Sequence, residues 1–287
     1  MKRGIIWLAS YPKSGNTWFR IFLTNLLQNG DAPASINNLE KTPIASARDI
    51  FDDVTGIEAS DLTADEIDRL RPELYTYLAE NAEEQLFMKI HDAYTYLEDK
   101  RPLIPQKATR CALYFIRNPL DVAVSFAHHS GWNYDTSVTK MADDAFAFCS
   151  KSGRLHSQLR QKILSWSNHV LSWVNASPFP VCLLRYEDMK LQPLETFEKA
   201  VRFAGFPHTR EQIQKAVDFS SFDVVQKQEE AESFKEKSSY PSVFFRKGKI
   251  GSWRKELNED HVRQIIHDHQ KVMHRFGYLD DKGNIIC

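Results

Sequence analysis

The segment 10–18 combines a lysine, a glycine and short polar side chains in a pattern that suits the binding of a phosphate. It reads SYPKSGNTW and follows the apolar run 4–9, GIIWLA. In a Walker A loop the lysine follows the last glycine, whereas Lys13 precedes Gly15 by two residues. Backbone N–H groups after Lys13 can hold a phosphate at a helix start, and the lysine can neutralise charge on an oxygen that leaves it. An ordinary strand–helix turn with a surface lysine is the alternative.

His91 follows a second apolar run, LFMKI (86–90), and is a candidate general base. Histidine is the usual group that takes a proton from a hydroxyl near neutral pH. Lys89 lies two residues earlier and points to the same face if the strand continues. A lone histidine is more often structural, so this position needs support from the rest of the chain.

A further set of basic residues suits a second anion. Arg117 ends the run 111–117, CALYFIR, and Ser125 follows eight residues later, near one face of a helix. The segment 246–251, RKGKIG, interleaves basic residues with glycines, which let backbone approach a ligand closely. Taken singly, a salt bridge to Asp121 explains Arg117 equally well, and an isolated loop such as 246–251 is more often solvated surface. Together with the first loop they predict two anion sites, as for a nucleotide phosphorylated at both ends of its ribose. ATP requires only one polyphosphate site with Mg²⁺.

The elements that must position these residues alternate between strands and helices. The predicted strands are 4–10, 86–90, 111–117 and 181–185. The predicted helices are 17–30, one that starts at 63–70 with a Thr63/Glu66 capping box, 119–129, a long one with Trp166 and Trp173, 193–205, and a last one that ends near Gly277, while 31–60 is irregular. The alternation predicts an α/β fold, three layers (α/β/α) around a mostly parallel sheet with a P-loop-like first loop. Ligands of such sheets bind at the carboxyl ends of the strands.

Composition and cysteine usage restrict the class of protein. With 37 basic and 38 acidic residues the net charge is −1, which argues against a nucleic-acid binder. The four cysteines are far apart without C-x-x-C spacing, so we expect no disulfide framework, no zinc site and a cytoplasmic location. No apolar stretch is long enough to span a bilayer, and we expect no signal peptide. Without repeats or linkers, one domain over 1–287 is the simplest organisation.

Four segments, in order along the chain, resemble the motifs of PAPS-dependent sulfotransferases of the cytosolic type, in a bacterial-like member. PAPS is 3′-phosphoadenosine 5′-phosphosulfate. YPKSGNTW (11–18) resembles the family's 5′-phosphosulfate loop, YPKSGTTW, and YFIRNPLDVAVSFAHH (114–129) resembles its 3′-phosphate segment. LLRYEDMKLQP (183–193) resembles the YEDMK turn, and FFRKGKIGSW (244–253) resembles the closing RKGxxGDW loop. The resemblance runs from residue 4 to about 277.

The resemblance implies a role for each matching position. His91 is the catalytic base, Lys13 stabilises the leaving 5′-phosphate and Lys89 aids the transfer. The 5′-phosphate is held by Lys13, Ser14, Gly15, Asn16, Thr17 and Trp18, the 3′-phosphate by Arg117, Ser125, Arg246, Lys247 and Gly248, and the adenine by Trp18, Phe222 and Tyr186. Core packing is the alternative for Trp18 and Phe222. PAPS is the co-substrate, adenosine 3′,5′-bisphosphate (PAP) is the product, and no metal is required.

The acceptor and the assembly are less constrained. Asn16 stands where the family usually has threonine, and Ser252 where it has aspartate, which is expected to loosen the closing loop (residues 244–253, the late loop). The family's dimerisation motif is not recognisable, so a monomer and a homodimer are both open. We expect a small hydrophobic or aromatic compound with a hydroxyl, because aromatic stretches offer candidate walls. These stretches are 93–97, 130–134, 146–148 and 240–245.

Three other functions were weighed against this one. A P-loop-like nucleotide kinase needs G-K-[ST] and a magnesium-holding aspartate after a strand, but the order of glycine and lysine is wrong here. A non-catalytic PAP-binding module predicts the loss of Lys13 or His91, and both are present. Sulfonation that drives a later elimination stays open. The histidines of HDH (267–269) lie on different faces of a helix, so we expect solvated side chains and no metal there.

Overall fold

The computed structural model describes residues 4–150, 156–237, 240 and 243–286. The strands are β1 (Ile5–Ser10), β2 (Phe87–Ile90), β3 (Thr109–Ile116), β4 (Ala147–Phe148), β5 (Gln161–Lys162) and β6 (Val181–Arg185). The α-helices are α1 (Asn16–Gln28), α2 (Arg48–Thr55), α3 (Ala64–Asn81), α4 (Pro119–Ser130), α5 (Tyr134–Ala142), α6 (Trp166–Asn175), α7 (Tyr186–Leu191), α8 (Pro193–Phe203), α9 (Arg210–Phe219), α10 (Phe222–Glu232) and α11 (Glu259–Arg275). The 3₁₀ helices within the described residues lie at Ala59–Asp61, Gln106–Ala108 and Ser252–Lys255.

The chain divides into two compact units, each built from three segments. The first unit comprises Met1–Tyr11, Thr42–Tyr114 and Asp143–Leu183, and the second comprises Pro12–Lys41, Phe115–Ala142 and Leu184–Cys287, less the residues that are not described. The single domain expected from the sequence stays a prediction. No helix in the described part of the chain is long and apolar enough to cross a membrane.

The central sheet has four strands in the order β2-β1-β3-β6 and is mostly parallel. β1 and β2 run parallel, with Ile6 opposite Phe87 and Ala9 opposite Ile90. All six residues of β1 are buried, as expected for a central strand of a parallel sheet covered on both faces. β4 and β5 form a separate antiparallel pair. The predicted α/β class and the four predicted strands of the central sheet are therefore confirmed.

The predicted helices are confirmed with local differences. α3 begins with the predicted capping box, because the Thr63 hydroxyl accepts from the Glu66 N–H and the Glu66 carboxylate accepts from the Thr63 N–H. The region 31–60 was wrongly expected to be irregular throughout, since it contains α2 and the first 3₁₀ helix. The helix with Trp166 and Trp173 has ten residues and is shorter than expected. The YEDMK turn is the first part of α7.

The second unit has an aromatic core formed by β3, α1 and α8. The ring of Phe197 on α8 lies 4.4 Å from Phe22 and 5.6 Å from Phe19, measured between centroids. Phe19 in turn lies 4.9 Å from Phe115. These aromatic contacts hold the first helical turn of α1, and therefore the loop before it, against the rest of the unit.

The first unit has a buried charge network instead. The Arg71 guanidinium, fully buried on α3, donates to both carboxylate oxygens of Asp92, at 3.1 and 2.6 Å. It also donates to Asp68 at 3.3 Å and to the hydroxyl of Tyr75 at 3.0 Å. Bidentate geometry and saturated donors are the conditions under which a buried ion pair is tolerated. The network fixes Asp92, the residue that follows His91.

Replacing Arg71 tests this network. We expect Arg71→Met to lower the free energy of unfolding by about 3–5 kcal/mol, because it leaves the carboxylate of Asp92 buried without its cation, whereas Asp68 keeps its ion pair with Arg160. The control is Arg69→Met on the same helix, whose partner Glu98 is 80% exposed, and which should cost less than about 1 kcal/mol. Urea unfolding at pH 7 measures both, and a similar small loss in the two variants would contradict the assigned role of the network.

Candidate functional site

The parallel register of β1 and β2 places His91 beside Ser10 in the first unit. The Nδ1 atom of His91 lies 2.9 Å from the Ser10 carbonyl oxygen and 3.2 Å from the Ser10 hydroxyl. A carbonyl only accepts hydrogen bonds, so in the neutral imidazole the proton is on Nδ1 and the lone pair is on Nε2. The ring is half-buried. This is the tautomer in which Nε2 can take a proton from a hydroxyl.

His169 supports the backbone of His91 in the first unit. Its Nε2 lies 3.1 Å from the His91 carbonyl oxygen, and its Nδ1 lies 2.7 Å from the hydroxyl of Tyr114. Burial lowers the pKa of His169 to about 3, so the ring is neutral at pH 7. Nε2 therefore donates to the carbonyl and Nδ1 accepts from the tyrosine. The indole N–H of Trp173 donates to the next carbonyl, that of Asp92, at 3.0 Å.

Lys89 lies on β2, and His91 follows the last residue of this strand, Ile90. The predicted alignment of the two side chains required the strand to continue, so it stays a prediction. The Lys89 N–H donates to the Pro43 carbonyl at 2.8 Å, and its own carbonyl accepts from Ala45 at 2.8 Å. Its backbone is thus fixed, and its part in the chemistry stays a prediction.

In the second unit, the loop before α1 has the backbone of an anion-binding turn. Lys13 has a φ of 69° and Gly15, the N-cap, a φ of 100°. A Cβ on Gly15 would lie 2.8 Å from the ring of Tyr186, so glycine is required for both reasons. The Ser14 hydroxyl is buried and has no hydrogen-bond partner among the described residues. Asn16, Thr17 and Trp18 form the first turn of α1, whose N–H groups have no carbonyl partner within the helix.

Arg117 joins this loop to the late basic loop. Its Nη1 donates to the Lys13 carbonyl at 3.2 Å, and its Nη2 donates to the Lys249 carbonyl at 3.3 Å. The guanidinium carbon lies 4.2 Å from the centre of the Tyr186 ring. Arg117 is 8% exposed, and its Nε has no partner within the described part of the chain. The guanidinium is therefore fixed in place by two of its five N–H donors, and the N–H on Nε is among those left for a ligand.

Asp121 does not form the salt bridge considered for Arg117 but holds the late loop. Its carboxylate accepts from the N–H groups of Gly251 and Trp253, at 2.7 and 3.1 Å, and from the Ser252 hydroxyl at 2.9 Å. Ser252 is thus bound to Asp121 through its hydroxyl, and the looser loop expected from the loss of the family's aspartate stays a prediction. Ser125 lies four residues after Asp121 on α4 and is half-buried. Residues four apart share one face of a helix, so Ser125 lies on the same face of α4 as Asp121.

The predicted adenine residues are neighbours in the second unit. The ammonium of Lys190 lies 5.3 Å from the Trp18 ring and 5.2 Å from the Phe222 ring, so both rings lie around one point. Trp18 is fixed by its N–H, which donates to the Ser220 carbonyl at 2.7 Å, and lies 6.1 Å from the Tyr186 ring. Burial lowers the pKa of Lys190. Phe222 also packs on an apolar cluster, so it has a core role as well.

The late basic loop approaches the same aromatic group. Gly248 has a φ of 56°, and a Cβ there would lie 2.3 Å from the Phe222 ring, so backbone and ring are in close contact. Arg246 and Lys247 precede it, and both side chains donate to the carboxylate of Glu256, at 3.3 and 2.6 Å. The structure thus brings together most of the second-unit residues predicted to bind nucleotide, while His91 and Lys89 belong to the first unit.

Some of the aromatic stretches proposed as acceptor walls belong to the core. Tyr94 is 3% exposed and its ring lies 5.7 Å from both Tyr96 and Phe179. Phe146 is also buried, whereas Tyr96 and Tyr240 are exposed. Within the last stretch, residues 241 and 242 lie outside the described residues.

Over residues 4–150, 156–237, 240 and 243–286, no group of three or more His, Cys, Asp and Glu side chains could hold a metal ion. His267 is 83% exposed, but His269 on the same helix is buried, so the expectation that both are solvated is wrong for His269.

Comparison with known proteins identifies the family. The family described as "sulfotransferase domain" matches residues 4–277. The chain belongs to this sulfotransferase family. It is 25% identical to cytosolic sulfotransferase 17 of Arabidopsis thaliana, over 96% of this chain and 76% of that protein. It is also 25% identical to flavonol 3-sulfotransferase of Flaveria bidentis, over 91% of this chain and 78% of that protein.

Solved structures show that the fold of this sulfotransferase family member is shared. Mouse sulfotransferase SULT7A1 complexed with PAP is 19% identical, with a TM-score of 0.59, over 95% of this chain and 84% of that one. Retinol dehydratase in complex with androsterone and inactive cofactor PAP is 20% identical, with a TM-score of 0.60, over 95% of this chain and 81% of that one. The family match sets the kinase alternative aside.

Several residues that organise the site of this sulfotransferase were not found from the sequence. Buried Glu229 accepts from the N–H groups of Phe244 and Phe245, at 2.6 and 2.8 Å, and so fixes the start of the late loop. Glu187 accepts from the Asn118 N–H at 3.0 Å. The sequence shows a glutamate in the YEDMK segment, but its spacing does not indicate which N–H donates a hydrogen bond to it. Phe244 lies under the Lys13 ammonium, 4.4 Å from its ring centre.

The neutral state of His169 predicts a pH dependence of stability. The unfolded histidine titrates near 6.5 and the folded one near 3, so between these values only the unfolded chain binds the proton. The contribution of His169 to the free energy of unfolding is therefore fully present above pH 6.5. As the pH falls from 6.5 towards 3, the free energy of unfolding decreases by about 1.4 kcal/mol per pH unit. We expect His169→Asn to show a slope smaller by this amount between pH 6 and pH 5, in urea unfolding. Exposed His267→Asn should keep the wild-type slope, and equal slopes in all three proteins would contradict the assignment.

Proposed function

We propose that this chain is a PAPS-dependent sulfotransferase that transfers the sulfuryl group to a hydroxyl of a small hydrophobic or aromatic acceptor. The observation that carries the proposal is the double contact of Arg117, which binds a carbonyl in the 5′-phosphate loop and a carbonyl in the 3′-phosphate loop. One fixed guanidinium thus sets the spacing of two anion sites. A nucleotide with phosphates at both ends of its ribose needs two anion sites at a fixed distance from each other.

The orphaned polar atoms support a phosphorylated ligand. The buried Ser14 hydroxyl and the Arg117 Nε are donors without partners over the described residues, and a buried unpaired donor is costly unless a ligand supplies an acceptor. We assign Lys13 through Trp18 to the 5′-phosphate, and Arg117, Ser125 and Arg246 through Gly248 to the 3′-phosphate. We assign the space around Trp18, Phe222 and Tyr186 to adenine.

The proposed chemistry follows from the protein's own groups, with PAPS supplying the sulfuryl group as co-substrate. His91 Nε2 takes the proton of the acceptor hydroxyl while its oxygen forms a bond to sulfur. The bond between sulfur and the 5′-phosphate oxygen breaks, and Lys13 and the helix N-terminus neutralise the charge left on that oxygen. Lys89 adds positive charge during the transfer. A positioned general base of this kind typically contributes 10²–10⁴-fold to the rate.

The acceptor class rests on the relatives and on the aromatic surroundings. Flavonols are named for one relative, and androsterone and retinol for the structural neighbours. Exposed aromatic residues such as Tyr96 and Tyr240 remain candidates for contact with such a compound. We also propose a cytoplasmic location, because Cys111, Cys149 and Cys182 are free thiols and one relative is named cytosolic.

Sulfuryl transfer from ³⁵S-labelled PAPS tests the proposal. In EDTA, we expect the wild type to convert a panel of 2-naphthol, a flavonol and a long-chain alcohol to sulfate esters with equimolar PAP. His91→Gln should lower kcat by about 10²-fold or more while PAP affinity is kept, since the base is lost but the nucleotide site is intact. His274→Gln, exposed on α11, is the control and should match the wild type.

Three other outcomes of this assay are informative. No transfer with normal PAP binding would favour the non-catalytic module. A dehydrated product in place of the ester would point to sulfonation followed by elimination. Full activity in His91→Gln would contradict the assigned base.

A further inference from the structure

The Glu256 carboxylate binds Arg246 and Lys247, two of the cationic side chains that the proposed function assigns to the 3′-phosphate. Its Oε1 accepts from Lys247 Nζ at 2.6 Å and from Arg246 Nη1 at 3.3 Å. Its Oε2 accepts from the Tyr134 hydroxyl at 2.6 Å and lies 2.7 Å from His128 Nε2. With four donors on its two oxygens, the carboxylate makes as many contacts as it can accept.

The carboxylate is ionised at neutral pH. Glu256 is 12% exposed, and burial alone would raise its pKa. The hydrogen bonds from His128, Lys247 and Tyr134, with the charge of Arg246, outweigh burial and hold the pKa at about 2. A full negative charge therefore lies at contact distance from both cations.

The backbone of the late loop is held by other carboxylates. Asp121 binds the N–H groups of Gly251 and Trp253, and Glu229 binds those of Phe244 and Phe245. The Glu256 carboxylate instead contacts the side chains of Arg246 and Lys247, while the Glu256 N–H donates to the Trp253 carbonyl at 3.0 Å. A change confined to the carboxylate therefore leaves these backbone contacts of the loop in place and acts on the two cations.

We propose that Glu256 is a specificity-determining residue: it competes with the nucleotide's 3′-phosphate for Lys247 and Arg246, and so limits the affinity for PAP. The inference rests on the proposed function. A 3′-phosphate carries nearly two negative charges at pH 7 and would bind the same two cations that Glu256 contacts. Its binding must displace the carboxylate from Lys247 or accept repulsion from it. Nucleotides without a 3′-phosphate do not meet this competition.

The competition has a consequence for turnover. PAP is the product of the proposed reaction, and a carboxylate ready to take back Lys247 shortens the time that PAP stays bound. Affinity differences between related complexes lie mostly in the dissociation rate. Glu256 would thus set how fast the nucleotide site is emptied.

Calorimetric titration with PAP and with AMP tests the inference. We expect Glu256→Gln, which keeps the shape and removes the charge, to bind PAP about tenfold more tightly than the wild type, while AMP affinity stays within about twofold. The matched control is Glu259→Gln, a few residues away on α11, whose carboxylate is 92% exposed, and it should leave both affinities unchanged. Stopped-flow release of PAP should slow in Glu256→Gln by a similar factor.

A second variant covers the case in which Glu256→Gln does not fold. Glu256→Asp keeps the charge but is one methylene shorter, so it should hold Lys247 less closely and tighten PAP binding by a smaller factor, about threefold. Unchanged or weaker PAP binding in the folded variants, with normal AMP binding, would overturn the inference. A wild type that does not prefer PAP to AMP would contradict the proposed function itself.

Discussion

The geometry of the second unit depends on one buried guanidinium. Arg117 follows directly after β3 and binds the backbone of two loops through separate nitrogen atoms, while its plane lies against Tyr186. A guanidinium is planar and always charged, with five donors in fixed directions, so it can serve two carbonyls and still offer a donor to a ligand. A lysine could not do this, because its single ammonium has no fixed geometry.

Carboxylates bound to backbone N–H groups complete the arrangement around this guanidinium. Asp121, Glu187 and Glu229 are all buried. Each carboxylate accepts from backbone N–H groups outside the strands, those of Gly251, Asn118 and Phe244 respectively among them. A charged acceptor makes a stronger hydrogen bond than a neutral one, and a buried N–H without a partner is costly. Irregular loops rich in basic residues thereby acquire defined positions. Glu256 acts differently, since its partners in the late loop are the side-chain cations.

Much of the fold was predictable because it depends on short-range patterns. The apolar runs 4–9, 86–90 and 181–185 give strands, and the Thr63/Glu66 spacing gives a helix start, because each depends on local periodicity or capping. α2 escaped prediction because its eight residues include only three apolar side chains, too few to show a helical repeat in the sequence. The roles of the candidate site residues were predicted mainly from the family resemblance, and less from the chemistry of each residue taken singly.

The partners of the charged residues could not be predicted from the sequence. Arg117 and Asp121 have a spacing typical of a salt bridge, but Asp121 binds the backbone at Gly251, 130 residues away. Such pairings depend on which loops meet in three dimensions, and the local sequence does not contain that information. The same holds for His169, whose burial against the His91 carbonyl sets both its tautomer and its pKa.

Thermal unfolding with nucleotides tests the central claim most directly, because it needs no acceptor. Wild-type protein in EDTA is heated with PAP or AMP, and in Mg²⁺ with ATP, at equal concentrations. At about a hundred times its dissociation constant a ligand stabilises by about 2.7 kcal/mol, so PAP should raise Tm by several degrees. AMP should raise it less and Mg-ATP hardly at all. A larger rise in Tm with Mg-ATP than with PAP would contradict a site for a nucleotide with phosphates at both ends of its ribose.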